Sequence, residues 1–149
     1  MFQQVFSTDS NWPGLILRLT LGLVIFPHAT QKLFGWFNGP GLSGEMQYLT
    51  QTTGLSTFTA VMVILVECGG ALLLLSGLAT RIAAVGMMGL FIGMIVVVHY
   101  KSGFFMNWFA QAPAGQEGFE YHLLVIGMCV ALILTGGGRF SIDRLISSF

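Results

Sequence analysis

Four long apolar runs, at about residues 13–34, 57–78, 81–100 and 120–136, leave this chain very few ways to fold. Crossing the hydrocarbon of a bilayer takes about 20 helical residues. The first three runs reach that length, and the fourth does so with its neighbours. Strands of a membrane barrel are about half as long and alternate in polarity, whereas residues 61–66 and 71–75 are apolar at every position. A helix satisfies its own backbone hydrogen bonds inside lipid. The expected fold is therefore all-α, a four-helix transmembrane bundle forming a single membrane domain over residues 1–149.

Composition removes the alternatives. Hydrophobic residues make up 54% of the chain and charged residues 8%, against about 25% charged in an ordinary soluble domain. That excludes a disordered chain and a coiled coil. Two cysteines are too few for a disulfide scaffold. Six basic residues balance six acidic ones, so there is no basic excess for a nucleic-acid partner; the first partner is the lipid bilayer. The segment before Pro13 contains no Lys or Arg and does not read as a cleavable signal.

Glycine and proline punctuate the runs at 36–41, 77–80, 111–118 and 136–138. The 77–80 break predicts a tight hairpin, and residues 141–149 predict a tail lying amphipathically on the membrane surface. Four spans place both termini on one side. That side carries Arg81, Arg139 and Arg144, with Arg18 one turn inside; the other carries Lys32 and Lys101. Lys and Arg accumulate in cytoplasmic loops, so the termini are expected in the cytoplasm and the two longer loops outside.

Ionisable groups inside hydrocarbon cost a few kcal/mol and require a partner, a cavity or a function. Here they are Arg18, His28, Lys32, Glu67, His99, Glu120 and His122. At 100° per residue Arg18, Gly22, Ile25, His28, Ala29 and Lys32 share one stripe of the first helix, interrupted by Pro27, which frees a backbone carbonyl. Centring each run in the bilayer puts Glu67 near the midplane and Arg18 within reach of it. Arg18–Glu67 is thus the expected buried pair, with His28 a second candidate partner. The other polar groups fall in the outer half beside an aromatic rim of Trp36, Tyr100, Trp108 and Tyr121, which predicts a polar pocket opening outward. The bland reading of these groups is register-setting for the buried pair and snorkelling for those near helix ends.

Weaker signals favour packing. Cys68 and Cys129 fall at similar depth but form no C-x-x-C motif, and isolated membrane cysteines are usually small apolar packers. Ala83, Gly86, Gly89 and Gly93, with Gly69 and Gly70, match the small-residue faces of closely packed helices. The eight methionines are dispersed as apolar fill and do not make a metal site.

Leu17-Arg18-Leu19, Leu21-Gly22-Leu23, His28 with Gln31-Lys32-Leu33-Phe34-Gly35, and Gly39-Pro40-Gly41-Leu42 open a pattern that runs nearly the whole chain. Glu67-Cys68-Gly69-Gly70, Gly77-Leu78-Ala79-Thr80-Arg81, His99, Gly103-Phe104-Phe105, Glu120-Tyr121 and Gly136-Gly137-Gly138-Arg139-Phe140-Ser141-Ile142-Asp143 complete it. In this pattern the chain resembles the DoxX family of small four-helix membrane proteins. It departs from the family at Ala29, where Gly is common, and at Gly137, where Pro is usual. The resemblance implies a membrane component associated with redox chemistry, since some relatives are subunits of quinone-reducing enzymes and others partners of thiol- or superoxide-handling proteins.

Three functions then compete. The first is a quinone-interacting subunit of a respiratory oxidoreductase complex in a bacterial inner membrane. There His28 and Lys32 would donate to the quinone, Glu67 would pass protons, and Glu120 or His122 would exchange them outside. The second is an accessory subunit that docks on other membrane subunits and has no site of its own. The third is a small-molecule or proton carrier, for which four helices without repeats are thin. A haem held between two of His28, His99 and His122 is a further reading, but there is no haem-attachment motif, so no covalently held cofactor is expected.

Overall fold

The computed structural model describes residues 6–113 and 115–148. Residues 1–5, Ala114 in the expected 111–118 loop, and Phe149 at the end of the expected tail lie outside the described residues. Among the described residues the protein is all-helical, and three helical segments are long and apolar enough to cross a membrane: Trp12–Phe34, Thr57–Ser76 and Thr80–Ser102. We number the α-helices α1 (Trp12–Phe34), α2 (Gly41–Gln47), α3 (Thr57–Ser76), α4 (Thr80–Met94), α5 (Glu120–Thr135) and α6 (Ile142–Ser147). Helix α4 continues through a π-helical turn, Ile95–His99, and a 3-10 turn, Tyr100–Ser102. Helix α5 is apolar but only 16 residues long, about 24 Å at 1.5 Å per residue.

The helix ends follow local chemistry. Asn11 caps α1 by accepting from the Gly14 N–H at 2.6 Å, and Gly35 ends it in the left-handed region (φ 71°). Helix α1 runs through Pro27, whose carbonyl accepts from the Thr30 hydroxyl at 2.8 Å. Ser56 caps α3. Ala79, which precedes α4 as its N-cap residue, has no capping side chain; the Asp143 carboxylate substitutes, accepting from Ala79 N at 2.6 Å and Thr80 N at 2.8 Å. Asp143 is buried. Helix α6, capped by Ser141, is therefore plugged into the 77–80 hairpin through Ser141 and Asp143, and the tail is not simply laid on a surface as expected.

Helices α1, α3, α4 and α5 pack around one core, which includes Leu21, Ile25, Leu74, Met87, Phe91 and Leu132. Outward side chains are equally apolar, Leu124 at 69% and Leu134 at 73% exposure among them. An apolar exterior on an apolar core is what a lipid solvent selects. A smaller cluster of Leu49, Ala60 and Ile64 lies under residues 41–53. That segment, which falls in one of the two longer loops expected outside, is α2 followed by a π-helical turn, Tyr48–Thr52, with Glu45 and Leu49 turned inward.

Only part of the expected glycine faces makes helix contacts. A Cβ on Gly70 would meet Met87 at 2.8 Å and one on Gly86 would meet Val66 at 3.3 Å, whereas Gly69, Gly89 and Gly93 have nothing within 4 Å of that position.

Candidate functional site

The polar groups sort to the two ends of the bundle. At one end Arg18 is buried, at 2% exposure. All five of its N–H groups are directed at carbonyl oxygens: Nε at Gly137 (2.9 Å), Nη1 at Leu74 (3.2 Å) and Leu75 (2.8 Å), Nη2 at Arg139 (3.2 Å) and Phe140 (2.7 Å). Leu74 and Leu75 lie in the last turn of α3, where carbonyls lack helical partners and carry the negative end of the helix dipole. The expected Arg18–Glu67 pair does not form. A Cβ on Gly22 would touch Leu75, and Cys68 Sγ reaches the Ala29 carbonyl at 3.8 Å. Glu67 thus stands level with Thr30, and Arg18 lies about 18 Å further along α1. Centring each run independently in the bilayer misplaced this register.

Gly77 makes the approach possible. Its φ of 69° suits glycine, and a Cβ there would fall 2.6 Å from Ser141 Cβ and 3.0 Å from Arg18 Cζ. Arg139 stacks 4.6 Å over the Trp12 ring, its N–H donates to the Asn11 carbonyl at 3.0 Å, and Arg81 donates to the Ser7 and Leu134 carbonyls. This end ties the chain together.

At the other end Lys32 is the cation that Glu67 pairs with. Lys32 Nζ lies 2.6 Å from Glu67 Oε2 and 3.5 Å from Glu45 Oε1. Glu45, at 6% exposure, and Glu67, at 4%, are both buried. One ammonium is shared by two carboxyls, so the triad has room for one further proton. Glu45 escapes sequence reasoning because it sits in a polar stretch outside the apolar runs; its place in the i, i+4 pair with buried Leu49 is the signal that marks it as inward.

His99 and His122 complete this end, ring centroids 4.2 Å apart. His99 Nδ1 lies 2.7 Å from the Glu117 carbonyl. A carbonyl only accepts, so Nδ1 carries the proton and Nε2 of the neutral ring is an acceptor. His122 is buried at 4% exposure, and its Nδ1 has no hydrogen-bond partner among the described residues. Phe91 and Tyr121 flank its ring. A cavity of about 360 Å³ opens here, lined by His28, Lys32, Glu67, His99, Tyr121 and His122 among others. His28, expected to be deep, is exposed and stands at the cavity wall.

Five expected residues thus meet around one chamber: His28, Lys32, Glu67, His99 and His122. Arg18 and Glu120 do not. Glu120 Oε1 accepts from Met106 N at 3.1 Å and Trp108 Nε1 at 2.5 Å, fastening the 103–110 loop with its exposed Phe105, Trp108 and Phe109. Glu117 lines the chamber in its place. Accordingly, Glu120→Gln is expected to raise hydrogen–deuterium exchange across 104–109 about tenfold, leaving exchange at His99 and His122 unchanged. Equal protection in both proteins would show that the loop is held otherwise. Cys68 and Cys129 are both free thiols.

The DoxX family model matches residues 14–100, a span that includes Lys32, Glu45, Glu67 and His99 and stops short of Glu117 and His122. The chain is 30% identical over 132 residues to "Putative oxidoreductase CatD" of Bacillus subtilis, covering 89% of this chain and 85% of that protein. It is 32% identical over 113 residues to "Inner membrane protein YqjF" of Escherichia coli, covering 76% and 80%. An uncharacterized membrane protein of Mycobacterium tuberculosis is 28% identical, with 95% and 91% covered. No solved structure matches the chain significantly. Apolar membrane-length helices, the match from Gly14 through Tyr100 and these relatives agree, and the chain belongs to the DoxX family of membrane proteins.

Proposed function

We propose that the protein is a four-span inner-membrane subunit of a redox assembly and that its chamber binds the ring of a membrane quinone. The observation that carries this reading is the orphaned Nδ1 of His122, buried beside an open cavity. A buried polar atom without a partner costs about 1–3 kcal/mol, and a ligand atom that bonds to it removes that cost. The surroundings fit a flat ring with polar edges. Phe91, Tyr121 and Met94 give apolar walls, and Lys32, with Nζ near two carboxyls, has a third N–H to donate.

A quinone, when bound, supplies reversible two-electron, two-proton chemistry, and the electron donor belongs to another subunit. This chain's residues position and protonate. The Lys32 ammonium donates a hydrogen bond to a ring oxygen and holds negative charge there. His122 Nδ1 bonds to the opposite edge. The spare proton place in the Lys32–Glu45–Glu67 triad makes it a proton acceptor and donor, and His28 or Glu117 at the chamber wall exchanges protons with the exterior. The end that carries Arg18, Arg81, Arg139 and Arg144 is cytoplasmic, by the bias of basic residues. The name of the Escherichia coli relative supports the inner membrane, and that of the Bacillus relative supports redox work.

Titrating the purified protein in lipid nanodiscs with 2,3-dimethoxy-5-methyl-1,4-benzoquinone tests the reading. The native chain is expected to bind saturably. His122→Phe keeps the ring's bulk without its nitrogens and is expected to weaken binding tenfold or more. No saturable binding to the native chain, or equal binding to both, overturns the assignment. A chain that copurifies with cofactor-bearing subunits but binds no ring would instead be a docking subunit.

A further inference from the structure

A second cavity, of about 450 Å³, lies on the other side of Lys32. Its walls are mostly apolar, with Leu49 and Leu55 from the 41–56 segment, Val63 of α3, and Gly89, Gly93 and Val97 from α4 and its π turn, while Tyr48, Thr53 and Thr59 add hydroxyls. Lys32, Met94, His99 and Glu117 line both cavities. The triad straddles that shared wall, since Glu45 faces the groove and Glu67 the chamber while Lys32 Nζ reaches both. The chamber that holds Glu67 and His122 and the groove that holds Glu45 are therefore neighbours that meet at one ammonium.

The groove owes its width to two missing side chains. An added Cβ at Gly89 or Gly93 meets no atom within 4 Å. These glycines lie on the stripe where the sequence suggests close helix packing, yet no helix among the described residues fills the space. A slot of this size is within the about 300–1,000 Å³ range of small-molecule sites.

From this juxtaposition we propose that the groove takes the long apolar chain of the same amphiphile whose polar ring occupies the chamber. The inference rests on the ring-binding reading above and adds a tail subsite to it. The ligand is one molecule with a hydrogen-bonding head at Lys32 and His122 and a flexible hydrocarbon chain passing Lys32 to lie along Gly89 and Gly93. Phospholipid alone is the weaker occupant, because a phosphate head in the chamber would face two carboxyls with one cation between them.

The test compares the tailless benzoquinone with its decyl-tailed analogue, both in nanodiscs and with concentrations expressed per lipid so that partitioning cancels. The native chain is expected to bind the tailed ring at least tenfold more tightly. In the double variant Gly89→Leu, Gly93→Leu the tail advantage is expected to vanish, with tailless affinity within twofold of native. Thermal unfolding of that variant checks that the fold survives, which the open space at both positions favours. A probe with a diazirine at the tail end is expected to label Thr59 and Val63 in the native chain. Equal affinity for the two rings in the native chain overturns the tail groove and leaves the chamber reading standing. Failure of the tailless ring to bind overturns both. Labelling of the same walls as strongly by a diazirine phospholipid assigns the groove to bulk lipid and also overturns the proposal.

Discussion

Arg18→Met is expected to destabilise the fold by about 4 kcal/mol or more, a large share of the 5–15 kcal/mol that holds a typical domain together. The guanidinium is the common partner of carbonyls from the end of α3 and from the 137–140 turn. A hydrogen bond to a charged group contributes about 1.5–3 kcal/mol. The five are not additive, but the loss includes leaving carbonyls from two segments without the donor that bridges them. Arg18→Lys keeps the charge and offers three donors from a point rather than five from a planar fork. It is expected to recover at most half the loss. Denaturant unfolding in mixed micelles measures both, and hydrogen–deuterium exchange over 136–143 should rise first. An Arg18→Met protein within about 1 kcal/mol of native would sink this account of how the end is held.

Lys32→Met is expected to cost about 3–5 kcal/mol, the usual effect of removing one partner from a buried ionic cluster. The neutral side chain fills similar space, but Glu45 and Glu67 remain buried without a cation. Adding Glu67→Gln should then restore about 2 kcal/mol, because one stranded carboxyl has been made neutral. Such a gain from a second substitution is the mark of direct coupling, and a double-mutant cycle reads it. Additive losses would mean that Lys32 and Glu67 act independently despite their 2.6 Å separation. The double variant should still fail to bind the ring, since it lacks the ammonium, which separates stability from site chemistry.

The two results bear on the same misreading. Arg18 and Glu67 each demanded a partner inside the membrane, and the sequence pairs them naturally because they are the deepest cation and anion. Arg18 instead uses backbone carbonyls, which every sequence contains and none displays. A trace was nevertheless available: Gly77 and Gly136–Gly138 mark two helix ends at the level of Arg18, and helix ends are where carbonyls fall free. The polar pocket between helices was legible through His28, Lys32, His99 and His122, because ionisable groups near one level of an apolar bundle have few places to go. Glu45 and Glu117 were not legible, since each lies outside the apolar runs, where a carboxylate is unremarkable. Glu120 looked like a site residue only because it opens a span; its carboxylate is spent on Met106 and Trp108.

Run length and apolarity by themselves determined that the chain is helical and membrane-borne, because both follow from backbone groups that lipid cannot satisfy. They located the four long helices to within a few residues, and the ionisable groups set in those runs gathered most of the chamber. Only tertiary structure decided the register between α1 and α3, and with it that Lys32 rather than Arg18 meets Glu67. That register depends on caps and close approaches at the bundle ends, where Gly77, Ser141 and Asp143 interlock. It decided equally that Gly89 and Gly93 border an open groove. A small residue permits close contact, but whether another helix arrives to make it is settled by the packing of the whole bundle.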